Sequence, residues 1–502
     1  MIARLRALLE HRAAPAVAGA LTALVIWWVW GSLAQTAAYH DEAAYVLQAK
    51  LFASGRWTGP GRPLPEFFEQ YHVIVTPVLA AKYWPGHSLL MVPGMWLGLP
   101  GLVPVLLSGL TGGLCFALAR RVAGPWVAAP TWFFWLTAPG NLDYRASYFS
   151  EVTTGALWLL GWWLLLDWQA TGRRRSLVAL AACVGFGAVT RPLTMLAFAV
   201  PVGVVVVRRT FASGKWRDFS LALGLGAALL AIIPLWSART TGDWRTTPYR
   251  EYTRLYMPFD RVGFGLDTTP PLVPASADLS RWIAEFHEVQ RQHTVAALPL
   301  RLAWRLHWIG DDMWHGWRAL LLPAALLGLF VLPAGTGIMV VASTLLVVLY
   351  ASFAHPDRWT LYYVELQPIL ALVSVLGARR LVSRLPSLAI GLVCVAVLPF
   401  VGQDIAAARR AGAARRADQS AFAALVQRIP ARRAIVFVRY GPRHTNPQSL
   451  ITNPTDLEAA RTWIVLDRGA DDARLTALAP DRAPYVYDEA TRTLTPWKPP
   501  SP

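Results

Sequence analysis

Two adjacent carboxylates, Asp41 and Glu42, stand near the start of residues 39–56 and are of a type that could do acid–base chemistry. At helical spacing Asp41, Tyr45 and Gln48 share one face of this stretch. Acids are favoured in the first turn of a helix, because the unpaired N–H groups there are positive, so an ordinary helix start explains the pair. The alternative is a carboxylate held at a membrane surface, where it would take a proton from a hydroxyl group. The choice depends on the elements that position the pair.

The composition is that of a polytopic membrane protein. Of the 502 residues, 55% are hydrophobic and only 15% are charged, which is too apolar for a soluble chain of this length. The net charge of +17 comes largely from short Arg clusters between apolar runs and from the C-terminal part. This pattern is typical of cytoplasmic loops, so no nucleic-acid partner is expected. The three cysteines lie in apolar runs without metal-ligand spacing, which predicts neither disulfides nor a cysteine metal site.

The apolar runs and the Arg clusters predict about eleven transmembrane spans. The first run follows three Arg residues and carries tryptophans where a signal peptide would have small residues, so we expect an uncleaved helix with a cytoplasmic N-terminus. All later Arg clusters then fall on one side, provided that residues 88–99, a short apolar piece broken by Pro93, lie at the interface. The predicted spans are 13–33, 102–119, 127–139, 152–168, 177–189, 193–207, 219–236, 320–332, 338–353, 361–376 and 388–401.

The expected fold class is therefore an all-α polytopic membrane protein with outer-face juxtamembrane helices and a small C-terminal α/β soluble unit. Residues 1–402 would form the membrane domain, with large outer loops at 34–100 and 239–318. Residues 403–502 would form the soluble unit, with an amphipathic helix (415–429) and two strand-like runs (434–438 and 463–466). Span parity places this unit outside, whereas the Arg residues after the last span favour the opposite side. The expected location is the inner (plasma) membrane, with the active face periplasmic or extracellular.

Ionisable and aromatic residues recur at the predicted outer ends of the spans. They are Lys82 in the first outer loop, Asp143, Arg145, Tyr148 and Glu151 in the second, Arg191 in the third, and His355, Arg358 and Tyr362 in the fourth. Each has an ordinary explanation: Lys82 and Arg191 can anchor at the head groups, Glu151 can start a helix, and the segment around His355 can be a turn. Ionisable groups near the membrane are costly, so their recurrence on one side favours a functional site.

This set suits glycosyl transfer at the outer leaflet. A carboxylate can take the proton of an acceptor hydroxyl as that hydroxyl attacks the anomeric carbon. The leaving group would be a lipid-linked phosphate, whose charge needs Lys or Arg donors. Carboxylates could also hold a divalent metal ion, although no dense His and Asp cluster demands one. The main alternative is a transporter or lipid flippase that uses these acids as a relay, and another is an inactive scaffold of the same fold.

Five short motifs follow one another in order along residues 10–380: Asp-Glu-Ala-Ala-Tyr at 41–45, Lys-Tyr-Trp-Pro at 82–85, Tyr-Phe-Ser-Glu at 148–151, Thr-Arg-Pro at 190–192, and Arg358 with Tyr362, Tyr363 and Pro368. Their order resembles the GT-C superfamily of polytopic glycosyltransferases, in the bacterial branch related to protein O-mannosyltransferases and lipid A aminoarabinose transferases. The first motif resembles the family's Asp-Glu-x-x-Tyr element. The acid at position 151 is more commonly Asp in that family.

The resemblance implies a polyprenyl-phosphate-linked sugar as donor, an inverting reaction and Asp41 as the catalytic base. Glu42 or Glu151 would orient the base or the sugar. The predicted donor-phosphate ligands are Lys82, Arg191, Arg358 and His355, and the predicted substrate-binding residues are Tyr45, Asp143, Arg145, Tyr148 and Tyr362. The acceptor on the outer face, whether lipid, polysaccharide or protein, is left open.

Overall fold

The computed structural model describes residues 2–333, 335–383, 387–442, 444 and 449–498. It begins with α1 (Ile2–Glu10) and α2 (Ala14–Trp30), which meet at a bend of 81°. Arg120 holds this bend, because its Nη1 donates to the backbone carbonyl oxygens of Leu9 (3.1 Å) and His11 (3.0 Å). α2 ends at Gly31, whose φ of 87° is a conformation that residues with a side chain rarely adopt.

The first outer loop folds as a helix over a small sheet. α3 (His40–Ala53) carries the acid pair, and the strands β1 (Gly59–Pro60), β2 (Val73–Ile74) and β3 (Val78–Ala81) pair antiparallel in the order β1-β3-β2. Apolar residues of α3 and of the strands share one buried cluster. α4 (Pro85–Trp96) follows with 12 residues. Such a helix rises about 18 Å, which is shorter than the hydrocarbon core, so residues 88–99 do not form a span of their own.

Most of the remaining chain is helical. In chain order the helices are α5 (Leu102–Ala123), α6 (Pro125–Leu136), α7 (Pro139–Arg145), α8 (Glu151–Thr171), α9 (Arg174–Thr190), α10 (Pro192–Ser213), α11 (Trp216–Leu230), α12 (Ile232–Thr241), α13 (Pro248–Tyr256), α14 (Ala277–Arg291), α15 (Leu298–Trp314), α16 (Leu322–Leu329), α17 (Gly337–Ala351) and α18 (Gln367–Val382). Short 3₁₀ helices at Pro65–Phe67, Gly316–Leu321, Thr360–Leu366 and Gly469–Asp471 complete them. One large apolar core joins buried residues of α2, α5, α6, α8, α10 and α17.

By length and composition, four helical segments of the described chain could cross a membrane: Leu102–Ala123, Pro192–Ser213, Trp216–Thr241 and Thr360–Val382. The bent pair α1–α2 would be a fifth. The other predicted spans fall in shorter or less apolar helices, such as α6 with 12 residues, or at the start of α19 below, where the side chains of residues 387–394 lie outside the described part. The number of eleven therefore stays a prediction.

The C-terminal part begins within a long helix. α19 (Ser387–Gln427) joins the last apolar run to the amphipathic helix, so the expected boundary after residue 402 falls inside it. The described residues beyond it contain β4 (Ala434–Arg439), β5 (Thr462–Leu466), α20 (Asp472–Leu478), β6 (Ala483–Asp488) and β7 (Thr493–Pro496), with the strands in the order β5-β4-β6-β7. β4 is parallel to β5 and to β6, and β7 is antiparallel to β6.

This C-terminal sheet packs on the first outer loop. Phe67 and Phe68 share a buried cluster with Phe437 and Trp463, so the sheet and the acid pair of α3 lie on the same face of the molecule. Three of the Arg residues after the last apolar run contact other helices. Arg409 Nη1 donates to the carbonyl oxygen of Trp28 (3.1 Å), Arg415 pairs with Asp143, and Arg416 Nη2 donates to the carbonyl oxygen of Ala146 (3.3 Å). These charges thus connect α19 to α2 and to the end of α7.

Candidate active site

A cavity of about 300 Å³ lies at the N-terminal end of α3. Its wall is formed by the first outer loop, the α9–α10 turn, α13 with the loop after it, α14, the end of α17 and the 3₁₀ helix before α18. Six of the predicted site residues line it: Asp41, Tyr45, Lys82, Glu151, Arg191 and Tyr362. Residues separated by about three hundred positions in sequence thus meet in one site. Asp41 and Tyr45 lie in α3, Glu151 begins α8, Arg191 forms the turn between α9 and α10, and Tyr362 lies in the 3₁₀ helix before α18.

Asp41 presents a partly exposed carboxylate to this cavity. Its side chain is 37% exposed, its Oδ1 accepts a hydrogen bond from the hydroxyl of Tyr83, and its Oδ2 lies 3.7 Å from Nε2 of His72. Burial raises the pKa of Asp41, and the hydrogen bond from Tyr83 and the charge of Lys82 act in the opposite sense. The partial exposure leaves room for a second molecule to reach the carboxylate. Tyr45, one helical turn later, stacks on Tyr83 with ring centroids 4.6 Å apart.

Lys82 is a buried cation that lines the same cavity. Its Nζ lies 3.7 Å from Oδ2 of Asp260 and 4.7 Å and 5.1 Å from the ring centroids of Tyr249 and Tyr252. Burial lowers the pKa of Lys82, while the carboxylates of Asp260 and Asp41 raise it. An ammonium group held among aromatic rings and acids is stabilised by further negative charge, which is what an anionic ligand would bring.

Arg191 supplies a second cation. It occupies the turn between α9 and α10, forms an ion pair with Glu151 and donates from Nη2 to the hydroxyl of Tyr350 (2.9 Å). The ring of Tyr362 lies 5.4 Å from its guanidinium carbon. Glu151 therefore orients Arg191. Among the described residues, no hydrogen bond joins Glu151 to Asp41. The carboxylate of Asp41 and the buried cations Lys82 and Arg191 thus line a single cavity, beside the acids Glu151 and Asp260 that pair with those cations.

Glu42 is turned away from this cavity. It is 1% exposed, its Oε2 accepts the backbone N–H groups of Ala38 (2.5 Å) and Tyr39 (3.1 Å), and its Oε1 accepts that of Tyr148 (2.9 Å). These bonds tie the start of α3 to the loop before α8. The side chain does not line the cavity, because neighbouring helical residues point about 100° apart.

The remaining predicted site residues lie outside the cavity, and several of them make contacts within the fold. Asp143 pairs with Arg415 of α19, and Tyr148 donates from its hydroxyl to the carbonyl oxygen of Gln35 (2.7 Å). Arg145 is buried in the bundle, where its Nη1 donates to the carbonyl oxygen of Val152 (3.3 Å).

Two further candidates belong to the segment before α18. His355 is fully buried; one ring nitrogen is 2.8 Å from the carbonyl oxygen of Pro356, and the other is 3.1 Å from the hydroxyl of Tyr363. Arg358 is exposed and is not among the residues that line the cavity. The structure thus brings neither side chain to the two cations.

The structure adds site residues that the sequence did not single out. His72 and Tyr83 contact Asp41, and Tyr249 and Asp260 surround Lys82. Tyr83 lies inside one of the sequence motifs and could have been found there. Asp260 lies in a long outer segment without a pattern, and nothing in the sequence distinguishes it from its neighbours. Among the described residues, no group of three or more His, Cys, Asp and Glu side chains could hold a metal ion.

Comparison with known proteins gives structural neighbours. No protein-family model matches the chain, and no curated protein matches it. A crystal structure of ArnT from Cupriavidus metallidurans bound to undecaprenyl phosphate matches with a TM-score of 0.50 and 17% identity, over 96% of this chain and 91% of that chain. The apo structure of the same protein matches with a TM-score of 0.53 and 17% identity, over 94% of this chain and 92% of that chain. The chain therefore has the fold of ArnT, a GT-C fold.

Proposed function

We propose that the chain is a membrane glycosyltransferase that moves a sugar from a polyprenyl-phosphate carrier to an acceptor on the outer face. The observation that carries the proposal is the arrangement of one partly exposed carboxylate, Asp41, and two buried cations, Lys82 and Arg191, around one cavity. The ArnT neighbour, which is bound to undecaprenyl phosphate, supports a donor of this class.

In the proposed reaction Asp41 is the general base. An acceptor hydroxyl attacks the anomeric carbon and gives its proton to the Asp41 carboxylate. The bond between the anomeric carbon and the phosphate oxygen breaks, and its electron pair stays on the phosphate. Lys82 and Arg191 stabilise that charge. A single displacement of this kind inverts the anomeric configuration.

Glu151 and Tyr350 have supporting roles in this scheme. Both bind the guanidinium of Arg191, so they fix the direction in which it can donate to the donor phosphate. Asp260 does the same for Lys82 from the other side. Each cation thus pairs with an acidic side chain on one side. A phosphate that enters the cavity would give both cations a second, shared negative partner.

Asp41→Asn tests the proposal. The variant keeps the shape of the side chain but removes the base, so transfer should fall about 10²- to 10⁴-fold. The assay incubates membranes containing the full chain with undecaprenyl phosphate carrying radiolabelled 4-amino-4-deoxyarabinose, mannose or glucose, and measures loss of labelled donor. Asp143→Asn is the matched control, because Asp143 lies outside the cavity, and it should keep native activity.

The outcomes separate the alternatives. Full activity of Asp41→Asn would remove Asp41 as the base. Failure of the native chain to consume any of these donors would count against a transferase of this donor class. A flippase would move labelled lipid between leaflets of proteoliposomes without breaking the sugar–phosphate bond, and that result would replace the proposal.

A further inference from the structure

His72 stands beside the carboxylate to which the proposed function gives the role of base. Its Nε2 lies 3.7 Å from Oδ2 of Asp41, while the hydroxyl of Tyr83 binds Oδ1 of the same carboxylate. The two oxygens of Asp41 thus each face a side chain that can donate a proton in a hydrogen bond. The ring lines the cavity although the residue is only 5% exposed.

The backbone holds His72 in an unusual conformation. Its φ is 63°, in the left-handed region, where residues other than glycine cost free energy and persist only when their surroundings fix them. Its N–H donates to the hydroxyl of Tyr252 (3.1 Å), and its carbonyl oxygen accepts the N–H of Lys82 (2.9 Å). The position of the ring is therefore tied directly to the backbone of the cation that would bind the phosphate.

The surroundings keep the ring neutral and suggest which nitrogen carries the proton. The rings of Tyr83, Tyr252 and Trp282 lie 5.2 Å, 6.1 Å and 6.2 Å away, centroid to centroid. Burial lowers the pKa of His72 well below its usual range, and the charge of Lys82 acts in the same direction. Nδ1 is buried without a hydrogen-bond partner among the described residues. When the neutral ring carries its proton on Nε2, that N–H faces the carboxylate of Asp41, a charged hydrogen-bond acceptor.

We propose that His72 is a positioning residue of the transfer reaction: its neutral ring donates Nε2–H to Oδ2 of Asp41 and, with Tyr83 on Oδ1, keeps the carboxylate ionised and aimed at the acceptor hydroxyl. The inference rests on the proposed glycosyl transfer. The proton of the acceptor goes to Asp41, and His72 stays neutral throughout. The proposal requires the 3.7 Å between Nε2 and Oδ2 to shorten to hydrogen-bond length during the reaction, because catalytic hydrogen bonds tighten as the transition state forms.

Other titratable groups also act on Asp41 and His72. The cations Lys82 and Arg191 and the tyrosines Tyr45, Tyr83, Tyr249 and Tyr362 face Asp41, His40 lies near His72, and Asp260 pairs with Lys82. All of them remain when only His72 is replaced. A comparison between two variants at position 72 therefore isolates the effect of the donated hydrogen bond.

His72→Phe and His72→Gln form the matched pair. Both must adopt the same left-handed backbone, so they share its strain, but only Gln carries an N–H donor at the reach of Nε2. The pH dependence of kcat/KM is measured on the full chain with the donor that the native chain consumes, together with the binding of undecaprenyl phosphate. Loss of a hydrogen bond to the ionised carboxylate raises the pKa of the base by about one unit.

The expected result is specific to the donor role. In His72→Phe the acidic limb of the pH profile moves up by about one unit and kcat near that limb falls about 10-fold, while undecaprenyl phosphate binds as in the native chain. His72→Gln keeps the native limb. An unchanged limb in an active His72→Phe variant, or an equal shift in both variants, would overturn the inference and leave the proposed function standing. If the native chain consumes no donor, the proposed function fails, and this inference fails with it.

Discussion

Glu42→Gln should destabilise the chain without acting on the chemistry. The carboxylate is buried and accepts three backbone N–H groups, from Ala38 and Tyr39 at the start of α3 and from Tyr148 before α8. An amide of the same shape can accept through one oxygen only. The amide N–H₂ must then face at least one backbone N–H, so a donor meets a donor in a site closed to water.

The size of the effect follows from two opposing contributions. A hydrogen bond to a charged acceptor contributes about 1.5–3 kcal/mol, and a buried N–H left without a partner costs about 1–3 kcal/mol. Burial raises the pKa of Glu42, so the native carboxylate is itself costly, and the neutral amide recovers part of this cost. A net loss of about 1–3 kcal/mol remains, because the free energy lost with the hydrogen bonds exceeds the desolvation cost that the neutral amide avoids.

The assay is thermal unfolding of the purified chain in detergent at a fixed scan rate, beside the transfer assay. At about 2 °C per kcal/mol for a long chain, the apparent midpoint should fall by about 2–6 °C, and activity per folded molecule should change little. Asp41→Asn is the internal comparison from the adjacent position. It should lose activity and keep its midpoint, because its side chain is partly exposed and accepts fewer bonds.

The reverse pattern would refute this reasoning. If Glu42→Gln unfolds at the native temperature but loses about 100-fold or more in kcat, Glu42 takes part in the reaction and its bonds to the backbone do not describe its role. The two neighbouring acids would then work together, as the sequence alone suggested.

Two other expectations follow from the geometry. Lys82→Met should weaken binding of undecaprenyl phosphate, measured by native mass spectrometry, by about 10-fold or more. Lys82→Arg should restore part of the binding, because a guanidinium keeps the charge but not the fit among the rings. Equal binding by both variants and the native chain would show that Lys82 does not bind the phosphate. Burial raises the pKa of Asp312 to about 7. The folded chain then holds a proton that the unfolded chain releases above about pH 4, so stability is full below that pH and declines as the pH rises to about 7. Asp312→Asn should flatten the fall of the unfolding midpoint between about pH 4 and pH 7, and an unchanged slope would contradict the assignment.

The predictable part of the site came from topology. Asp41, Lys82 and Arg191 each fall in a segment that the Arg clusters predict to be on the outer side, and all three line the cavity. This argument selects an end of a helix but not a side of it. It therefore could not separate Asp41, which lines the cavity, from Glu42, which binds backbone N–H groups at the start of α3 and in the loop before α8.

The same limit explains the polar residues that lie elsewhere. Arg145 and His355 satisfy backbone carbonyl oxygens in the bundle, and Asp143 is paired with Arg415. Buried polar groups must find partners, and a partner within the fold is indistinguishable from a ligand when only the sequence is read. Asp260 is the opposite case, since only tertiary contact brings it to Lys82.

The strand pair β2–β3 connects His72 and Lys82 and so links two parts of the site. The backbone bond between these two residues closes the strand pair, and Tyr83 is the next residue after Lys82. His72 and Tyr83, which both contact the carboxylate of Asp41, and the cation Lys82 therefore belong to a single strand pair that packs against α3. Strands fix spacings more tightly than flexible loops do, so the spacing between Asp41, the proposed base, and Lys82, a proposed ligand of the donor phosphate, is set by backbone pairing and apolar packing. Arg191, from a separate turn, completes the site across the cavity.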